Sequence, residues 1–237
     1  MSVSFERDGA VAVLRFDDGK ANVLSHAVIE DFHRHLDAVE ADRTFRATVI
    51  VGRPGRFCAG FDLATMNRDA ESMRSLVAAG GRLIARLFMH PMPLVAACSG
   101  HALAAGALML LACDDRLAAG GEAKIGLNEV TIGLALPSWA VSLARYRLAG
   151  GHFDRCVILG ELTNPASAVA AGFIDTVVEA ESLEQVTLER ARMLAGLDRD
   201  SVATTKRRAR VAVAQSMTDG IDADVASMSQ PSPRPAG

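Results

Sequence analysis

The feature that most constrains this chain is a twenty-residue apolar segment at positions 94–113, with the sequence LVAACSGHALAAGALMLLAC. A helix of that length could cross a bilayer. However, a Ser-Gly-His sequence interrupts the segment, two prolines precede it, and alanine rather than isoleucine supplies much of its apolar character. Because polar groups are costly in lipid, we predict no membrane span. We predict instead a buried strand, a turn at Ser99-Gly100 and a buried helix beginning near Ala104.

The composition fits a core packed from small side chains. Half of the 237 residues are hydrophobic by type, but aromatic residues make up only 5%, with one Trp and one Tyr. Alanine, leucine and valine must therefore form the core, and backbones can approach each other closely. The length predicts one domain with a possible appendage. The formal net charge of −3 disfavours a dedicated nucleic-acid-binding protein, which would be strongly basic.

The four cysteines indicate a reducing compartment. They stand at positions 58, 98, 113 and 156, a spacing that fits neither a small disulfide framework nor a pair of zinc knuckles. The first residues include acids and bases and lack an apolar block with a cleavage site. We therefore expect a cytoplasmic protein. His33 and His35 would face different directions on a predicted helix, so no metal site is expected.

The order of apolar and turn residues predicts an α/β fold. A hairpin turn is expected at Asp8-Gly9, and Ser25 is placed to cap a helix whose apolar residues recur at helical spacing. Residues 47–51 have the pattern of a short buried strand. Near the C-terminus we predict helices around residues 182–196 and 200–215.

Two strand-to-helix loops could bind an anion. Residues 57–63 (FCAGFDL) and residues 100–106 (GHALAAG) are rich in small side chains, so a ligand can approach the backbone. Asp62 is placed to cap the helix after the first loop, which leaves the Phe61 amide free, and unpaired amides at a helix start attract anions. Two such loops on adjacent units could direct two amides at one oxygen and stabilise an oxyanion or enolate. Each loop alone is equally compatible with an ordinary turn.

Three segments, FCAGFDL, SGHALAAGALMLLACDDRLAA and AKIGLNEVTIGLALPSW, resemble in this order three signatures of the crotonase family, also called the enoyl-CoA hydratase and isomerase superfamily. The resemblance implies a crotonase-like spiral of strand-strand-helix units over residues 1–195. It also implies a helical C-terminal region at residues 196–228 that forms a homotrimer or a dimer of trimers. Residues 229–237, which include three prolines, are expected to be disordered.

The same resemblance implies a substrate and a set of site residues. The expected substrate is an acyl-CoA thioester, and no cofactor is expected beyond the coenzyme A that is part of it. The amides of Phe61 and Ala105 match the family's two oxyanion-hole donors. The positions that match substrate-binding residues are Lys20, Ala21 and Val23, then Ala59, Asp62 and Leu63, and finally Lys206, which would offer a cation to the CoA phosphates.

The acidic residues decide which reaction is expected. Hydratases of the family use two glutamates, and this chain has Leu108 at the first of those positions and Glu129 at the second. One glutamate suffices to remove a proton from C2 of a 3-enoyl-CoA and return it to C4. The segment IGLNEVTIGLALPSW is also similar to that of Δ3-Δ2-enoyl-CoA isomerases. We therefore expect isomerisation to 2-trans-enoyl-CoA, with a hydratase and a non-catalytic acyl-CoA-binding protein left open as alternatives.

A proton shuttle by Glu129 requires an apolar surrounding. Burial disfavours the charged carboxylate and brings its pKa nearer to the working pH. Leu127, Val130, Ile132 and Leu134 could form that surrounding, and Leu108 is expected to contact the substrate.

The second loop departs from the family's pattern. Its members usually carry two or three glycines where this chain has Ala104-Ala105-Gly106. A Cβ is disfavoured wherever φ is positive. We therefore expect backbone strain at Ala105 if its φ is positive.

Overall fold

A computed structural model describes residues 2–227 of the chain. The strands are β1 (Val3–Asp8), β2 (Val11–Phe16), β3 (Val23–Leu24), β4 (Ala47–Gly52), β5 (Gly55–Cys58), β6 (Gly60–Phe61), β7 (Leu94–Cys98), β8 (Gly100–Leu103), β9 (Asp115–Ala119), β10 (Ile125–Gly126) and β11 (Thr176–Val178). The helices are α1 (His26–Ala41), α2 (Leu63–Met66), α3 (Ala70–Phe88), α4 (Ala105–Ala112), α5 (Ser138–Arg147), α6 (Gly150–Val157), α7 (Pro165–Ala171), α8 (Leu183–Leu194) and α9 (Arg199–Ser227). Short 3-10 helices lie at Glu129–Ile132 and Ala180–Ser182.

The largest sheet contains six strands in the order β1-β2-β4-β7-β9-β11. β1 and β2 form an antiparallel hairpin whose turn includes Gly9 at φ +58°, and the other pairs are parallel. β4 and β7 are buried along their whole length, as parallel strands covered on both faces should be. The Ser25 side chain accepts a hydrogen bond from Val28 N and begins α1. The predicted hairpin, strand and helix cap are confirmed.

A second sheet of three short parallel strands, in the order β10-β8-β5, positions the loops that follow them. Each of these strands comes directly after a long strand of the first sheet (β4, β7 or β9). β8 is followed by α4 and β10 by a 3-10 helix, whereas the short strand β6 stands between β5 and α2. The register aligns Gly55 with Gly100 and Ala102 with Ile125. The C-terminal ends of β5, β8 and β10 therefore lie side by side. This arrangement confirms the expected spiral of strand-strand-helix units.

The apolar segment at residues 94–113 forms β7, β8 and α4. Every residue of α4 is buried, so the helix is apolar all round because it lies inside the protein. Its second residue, Gly106, has no room for a side chain, since a Cβ there would lie 2.1 Å from the carbonyl oxygen of Cys58. Among residues 2–227, no helix is both long and apolar enough to cross a membrane.

The last helix is longer than the apolar pattern predicts, and it lies within the helical C-terminal region at residues 196–228 that the family resemblance implies. The apolar pattern predicts an end near residue 215, but α9 continues to Ser227. Met217 and Ile221 are buried in the main core, and α9 packs against α3 and α5. Tertiary contacts therefore extend this helix beyond its own weak periodicity. The predicted disordered tail at residues 229–237 lies outside the described residues.

Lys206 fixes α9 to the main sheet. Its Nζ donates to the carbonyl oxygens of His90 and Met92, both at 2.7 Å, and to Asp114 Oδ2 at 2.6 Å. The same carboxylate oxygen accepts a hydrogen bond from Leu94 N at 2.7 Å. Because Lys206 is 8% exposed, this ion pair has little competition from water.

We predict that Lys206→Met destabilises the protein by about 1–3 kcal/mol, because the carbonyl oxygens of His90 and Met92 lose this buried donor. The Asp114 carboxylate keeps its ion pair with Arg210 at 2.7 Å, which limits the loss. The free energy of unfolding in urea measures this loss. Arg208→Met is the matched control: Arg208 lies one half-turn further on α9 and is exposed, so its loss should change stability by no more than about 0.5 kcal/mol. Equal losses in the two variants would contradict the anchoring role.

Candidate active site

A cavity of about 260 Å³ lies beyond the C-terminal ends of β5, β8 and β10. Most of its lining is apolar. The residues that line it are Ala59, Phe61, Leu63, Met66, Val77, Leu103, Ala104, Leu108, Asn128, Glu129, Ile132, Leu134, Ala135, Pro137 and Trp139. Among these described residues Glu129 is the one ionisable group, and Asn128 adds an amide. A concave, mostly apolar pocket with a few polar groups is the usual form of a small-molecule site.

The first loop presents the amide of Phe61 away from its neighbouring strand. β6 pairs with β3 in parallel, with Phe61 opposite Leu24. Asp62 N, rather than Phe61 N, donates to the carbonyl oxygen of Leu24 at 3.1 Å. Because donors alternate in direction along a parallel strand, the Phe61 amide points away from β3. The Asp62 side chain accepts hydrogen bonds from Ala64 N and Thr65 N, which confirms the predicted helix cap.

The second loop presents the first turn of α4. Ala104 lines the cavity and immediately precedes the helix, whose first amides have no partner within the helix. The backbone strain lies at Ala104, with φ +51° and ψ −120°, whereas Ala105 begins the helix. The condition for strain at Ala105, a positive φ, is therefore not met, and the positive φ falls one residue earlier.

The two loops are in direct contact. A Cβ placed on Gly60 would lie 3.2 Å from the Cβ of Ala104 and 3.8 Å from the amide nitrogen of Ala105. The backbone that carries the Phe61 amide is thus next to the amide of Ala105. The positive end of the α4 dipole faces the same point. Two amides and a helix start can together stabilise negative charge on one oxygen.

Glu129 faces the cavity from the first residue of the 3-10 helix after β10. Its Oε2 is buried and has no hydrogen-bond partner within the described residues. Burial raises the pKa of Glu129 from 4.5 to about 7, since removal from water disfavours the charged form. The carboxyl group can therefore both accept and release a proton near neutral pH.

The surroundings of Glu129 differ partly from the sequence-based expectation. Ile132 and Leu134 line the cavity as predicted. Leu127 does not, because it is buried in the main core. Val130 is 39% exposed and turns away from the cavity. The remaining apolar contacts come from other parts of the chain, which local spacing around residue 129 could not identify.

The segment at residues 20–23 lies beside the cavity rather than in its wall. Ala59 N donates to the carbonyl oxygen of Asn22 at 3.0 Å, which joins the segment to a lining residue. The buried Asn22 has φ +55°, and its side-chain amide donates to Phe16 O at 2.6 Å. The Asp18 carboxylate accepts hydrogen bonds from the amides of Lys20, Asn22 and Val23. The predicted contact residues Lys20, Ala21 and Val23 are thus held on a rigid loop next to the pocket entrance.

Two other predicted contact residues, Leu63 and Asp62, have different roles beside the cavity. Leu63 lines the cavity although it is 57% exposed, so a large apolar side chain faces solvent where a ligand would enter. The carboxylate of Asp62 is occupied as a helix cap, and the hydrogen bond from the Thr65 hydroxyl lowers its pKa. Asp62 therefore positions the loop and does not line the cavity.

The structure places Lys206 away from the cavity, which corrects the expected set of site residues. Its ammonium group makes three hydrogen bonds inside the protein, including the ion pair with Asp114. It lies at the start of β7, whereas the cavity lies beyond the ends of the short strands. Lys206 is therefore a buried structural cation in this chain and is not brought to the pocket with the other predicted residues.

Several lining residues were missed by the sequence analysis. They are Met66, Val77, Asn128, Pro137 and Trp139. One signal could have drawn attention to Trp139, since it is the single tryptophan of the chain. Asn128 precedes Glu129 directly, and its buried Oδ1 has no hydrogen-bond partner among the described residues. Within residues 2–227 no cluster of three or more His, Cys, Asp or Glu side chains could hold a metal ion.

The site thus combines adjacent backbone amides with one carboxyl group in an apolar cavity, an arrangement suited to proton transfer next to a carbonyl. The sequence model described as enoyl-CoA hydratase/isomerase matches residues 6–233. Mitochondrial enoyl-CoA delta isomerase 1 of Homo sapiens is 31% identical over 218 residues, 91% of this chain and 72% of that protein. A putative enoyl-CoA hydratase of Thermus thermophilus is 33% identical over 198 residues, 81% of this chain and 76% of that protein.

Solved structures agree with these sequence relatives. An enoyl-CoA hydratase/isomerase family protein from Pseudomonas syringae superposes with a TM-score of 0.93 at 38% identity, covering 96% of this chain and 98% of that chain. Human mitochondrial delta3-delta2-enoyl-CoA isomerase superposes with a TM-score of 0.91 at 31% identity, covering 96% and 90%. The chain belongs to the enoyl-CoA hydratase/isomerase family and is an enzyme of that family.

We predict that Ala104→Gly stabilises the protein by about 1 kcal/mol, because glycine adopts the strained backbone angles of this position without a Cβ penalty. The control is Ala105→Gly, one residue later at the start of α4, which should be neutral or destabilising because glycine weakens a helix. Thermal unfolding of both variants measures the difference. A loss of stability in Ala104→Gly would contradict the conclusion that the backbone at Ala104 is strained.

We predict that Glu129→Gln becomes more stable relative to the native protein as pH rises. The unfolded glutamate loses its proton near its ordinary pKa of 4.5, whereas the folded one keeps it until about 7. The native protein therefore loses up to about 3 kcal/mol of stability between those values, and glutamine, which does not ionise, avoids the loss.

Urea unfolding of Glu129→Gln at pH 5 and pH 8 measures this difference. The exposed Glu122 gives the control variant Glu122→Gln, which should leave the pH dependence of stability unchanged. A constant difference between Glu129→Gln and the native protein at both pH values would show that Glu129 ionises normally.

Proposed function

We propose that this chain isomerises 3-enoyl-CoA to 2-trans-enoyl-CoA, with Glu129 as both base and acid. The observation that carries the proposal is that, among the described residues that line the cavity, Glu129 is the one ionisable side chain and Leu108 lies in the same lining. Adding water across a double bond benefits from two groups that orient and activate the water. Moving one proton requires only one carboxyl group, so the cavity favours isomerisation.

The reaction would proceed through an enolate. The Glu129 carboxylate removes a proton from C2 of the substrate, and the electrons pass through C1 to the thioester oxygen. The amides of Phe61 and Ala105 donate hydrogen bonds to that oxygen and stabilise its negative charge. The protonated Glu129 then delivers the proton to C4, and the double bond moves into conjugation with the thioester. A pKa of about 7 suits a group that must take up and release the same proton.

The apolar part of the cavity would hold the acyl chain. Met66, Val77 and Trp139 lie in the lining together with Leu134 and Pro137. Apolar surface removed from water contributes roughly 25 cal/mol per Å², so such a wall favours a hydrocarbon chain over a polar one. The exposed Leu63 at the entrance would pack against the part of the ligand that joins the thioester to the rest of coenzyme A.

The basic groups nearest the loop at residues 20–23 would face the phosphates of coenzyme A in place of Lys206. Arg53 donates to the carbonyl oxygen of Lys20 at 2.7 Å. Arg56 pairs with His101 in the β5–β8 register, and burial, Arg56 and Lys124 together lower the pKa of His101. Arg53 also pairs with Asp17 at 3.5 Å, so part of its charge is already neutralised within the chain. A trimer or dimer of trimers and a cytoplasmic location stay predictions of the sequence.

The relatives support the general class of reaction. Experiment must decide between isomerisation and hydration, since one relative is named an isomerase and another a hydratase. Offering 3-hexenoyl-CoA and crotonyl-CoA separately distinguishes the possibilities through the absorbance of the conjugated thioester. A gain of absorbance with the first substrate alone supports the isomerase. A loss with the second supports the hydratase, and binding without any change supports a non-catalytic acyl-CoA-binding protein.

We predict that Glu129→Gln lowers kcat on 3-hexenoyl-CoA by at least about 10³-fold, because glutamine cannot accept a proton. Binding of hexanoyl-CoA, measured by calorimetry, should stay within about threefold, since the shape of the cavity is unchanged. Glu122→Gln serves as the matched control and should keep full activity. Turnover retained by Glu129→Gln would overturn the proposed mechanism.

A further inference from the structure

Gly80 in α3 forms a notch that receives the ring of Phe61. A Cβ built on Gly80 would lie 2.1 Å from Cε1 and 2.5 Å from Cζ of Phe61. Side-chain atoms in contact are normally about 3.5–4.0 Å apart. The ring edge therefore occupies the space that any other residue at position 80 would fill. Glycine weakens the interior of a helix, and here the close approach of an aromatic ring requires it.

The backbone of Phe61 cannot move to relieve such a clash. It is held by the β3–β6 pair and by the hydrogen bond from Asp62 N to Leu24 O. It also lies against the first turn of α4, through Gly60 and Ala104. A side chain at position 80 would therefore force the Phe61 ring to rotate about its own side-chain bonds.

The open space available to the rotating ring is the cavity. Phe61 lines the cavity on one side and packs against the main core on the other. Val77, one helical turn before Gly80, lines the cavity as well, so this face of α3 borders the region proposed to hold the acyl chain. A core is close-packed and yields little, whereas the cavity is empty space into which the ring can turn.

We propose that Gly80 determines how long an acyl chain this enzyme accepts, by letting the Phe61 ring withdraw from the acyl part of the cavity. This inference rests on the proposed use of an acyl-CoA substrate. The backbone amide of Phe61 would hold the thioester oxygen, and its ring would set the width of the channel beyond it. The same residue then links the position of the reacting carbonyl to the space for the hydrocarbon chain.

The test compares Gly80→Ala with the native protein on 3-hexenoyl-CoA and 3-decenoyl-CoA. The expected result is a loss of kcat/KM at least about tenfold greater for the longer substrate, since each methylene excluded from an apolar pocket has an effect of that order. An equal loss on both substrates would overturn the proposal, because it would mean that the alanine displaces the amide or the whole loop.

Binding of hexanoyl-CoA and decanoyl-CoA, measured by calorimetry, separates this inference from the proposed reaction. These saturated thioesters cannot be isomerised, so their affinities report on the cavity even if the chain catalyses another reaction of its family. The Gly80→Ala substitution should weaken the binding of decanoyl-CoA at least about tenfold more than the binding of hexanoyl-CoA. Unchanged relative affinities would overturn the role of Gly80 whatever the reaction is.

A second variant pair keeps the proposal testable if Gly80→Ala does not fold. Leucine at position 61 keeps the backbone amide and removes the ring, so Phe61→Leu with Gly80→Ala should fold. That double variant should show the same chain-length preference as Phe61→Leu alone, within about threefold. A double variant that remains unfolded, or that still rejects the longer chain, would overturn the proposal that Gly80 leaves space for the Phe61 ring. Gly151→Ala is the control, because a Cβ there meets no atom within 4 Å. This variant should show the same preference for acyl-chain length as the native protein.

Discussion

The site depends first on the contact between the start of α4 and the backbone of Cys58. The absence of a side chain at Gly106 lets the helix approach to a distance that a Cβ, 2.1 Å from the Cys58 carbonyl oxygen, would forbid. That approach brings the amide of Ala105 next to the loop of Phe61. Because protein interiors are close-packed, a larger residue at this point would separate the two loops and with them the two amides.

The other end of α4 is held by charged groups away from the cavity. Arg147 donates to the carbonyl oxygens of Leu111 at 2.8 Å and Cys113 at 2.6 Å, which satisfies acceptors that a helix end leaves open. Asp114 follows immediately and binds Lys206 of α9. The helix is thus fixed by ion pairs and caps at its C-terminal end, and its N-terminal amides stay available for a ligand. The buried charges stabilise the scaffold, and the Glu129 carboxylate in the cavity is kept apart from them.

The sequence predicted the local features of this fold well and its long-range features poorly. Ser25 and Asp62 were recognisable as helix caps because a cap depends on residues two or three positions away, and the structure shows both of them in that role. The end of α9 was misplaced because Met217 and Ile221 are buried by helices distant in the sequence. Lys206 was assigned to a ligand for the same reason: its carboxylate partner lies 92 positions away.

By itself the sequence determined the α/β class, the order of the units, the two small-residue loops and the acids available for chemistry, with Leu108 and Glu129 at the decisive positions. These follow from local spacing, turn residues and side-chain type. Only the tertiary structure decided that strain falls on Ala104, that Glu129 Oε2 is buried without a hydrogen-bond partner among residues 2–227, and that Gly80 receives the ring of Phe61. Each of those properties arises where segments far apart in the chain come into contact. The dielectric environment of a carboxylate and the space beside a ring are set by those contacts, so local sequence cannot specify them.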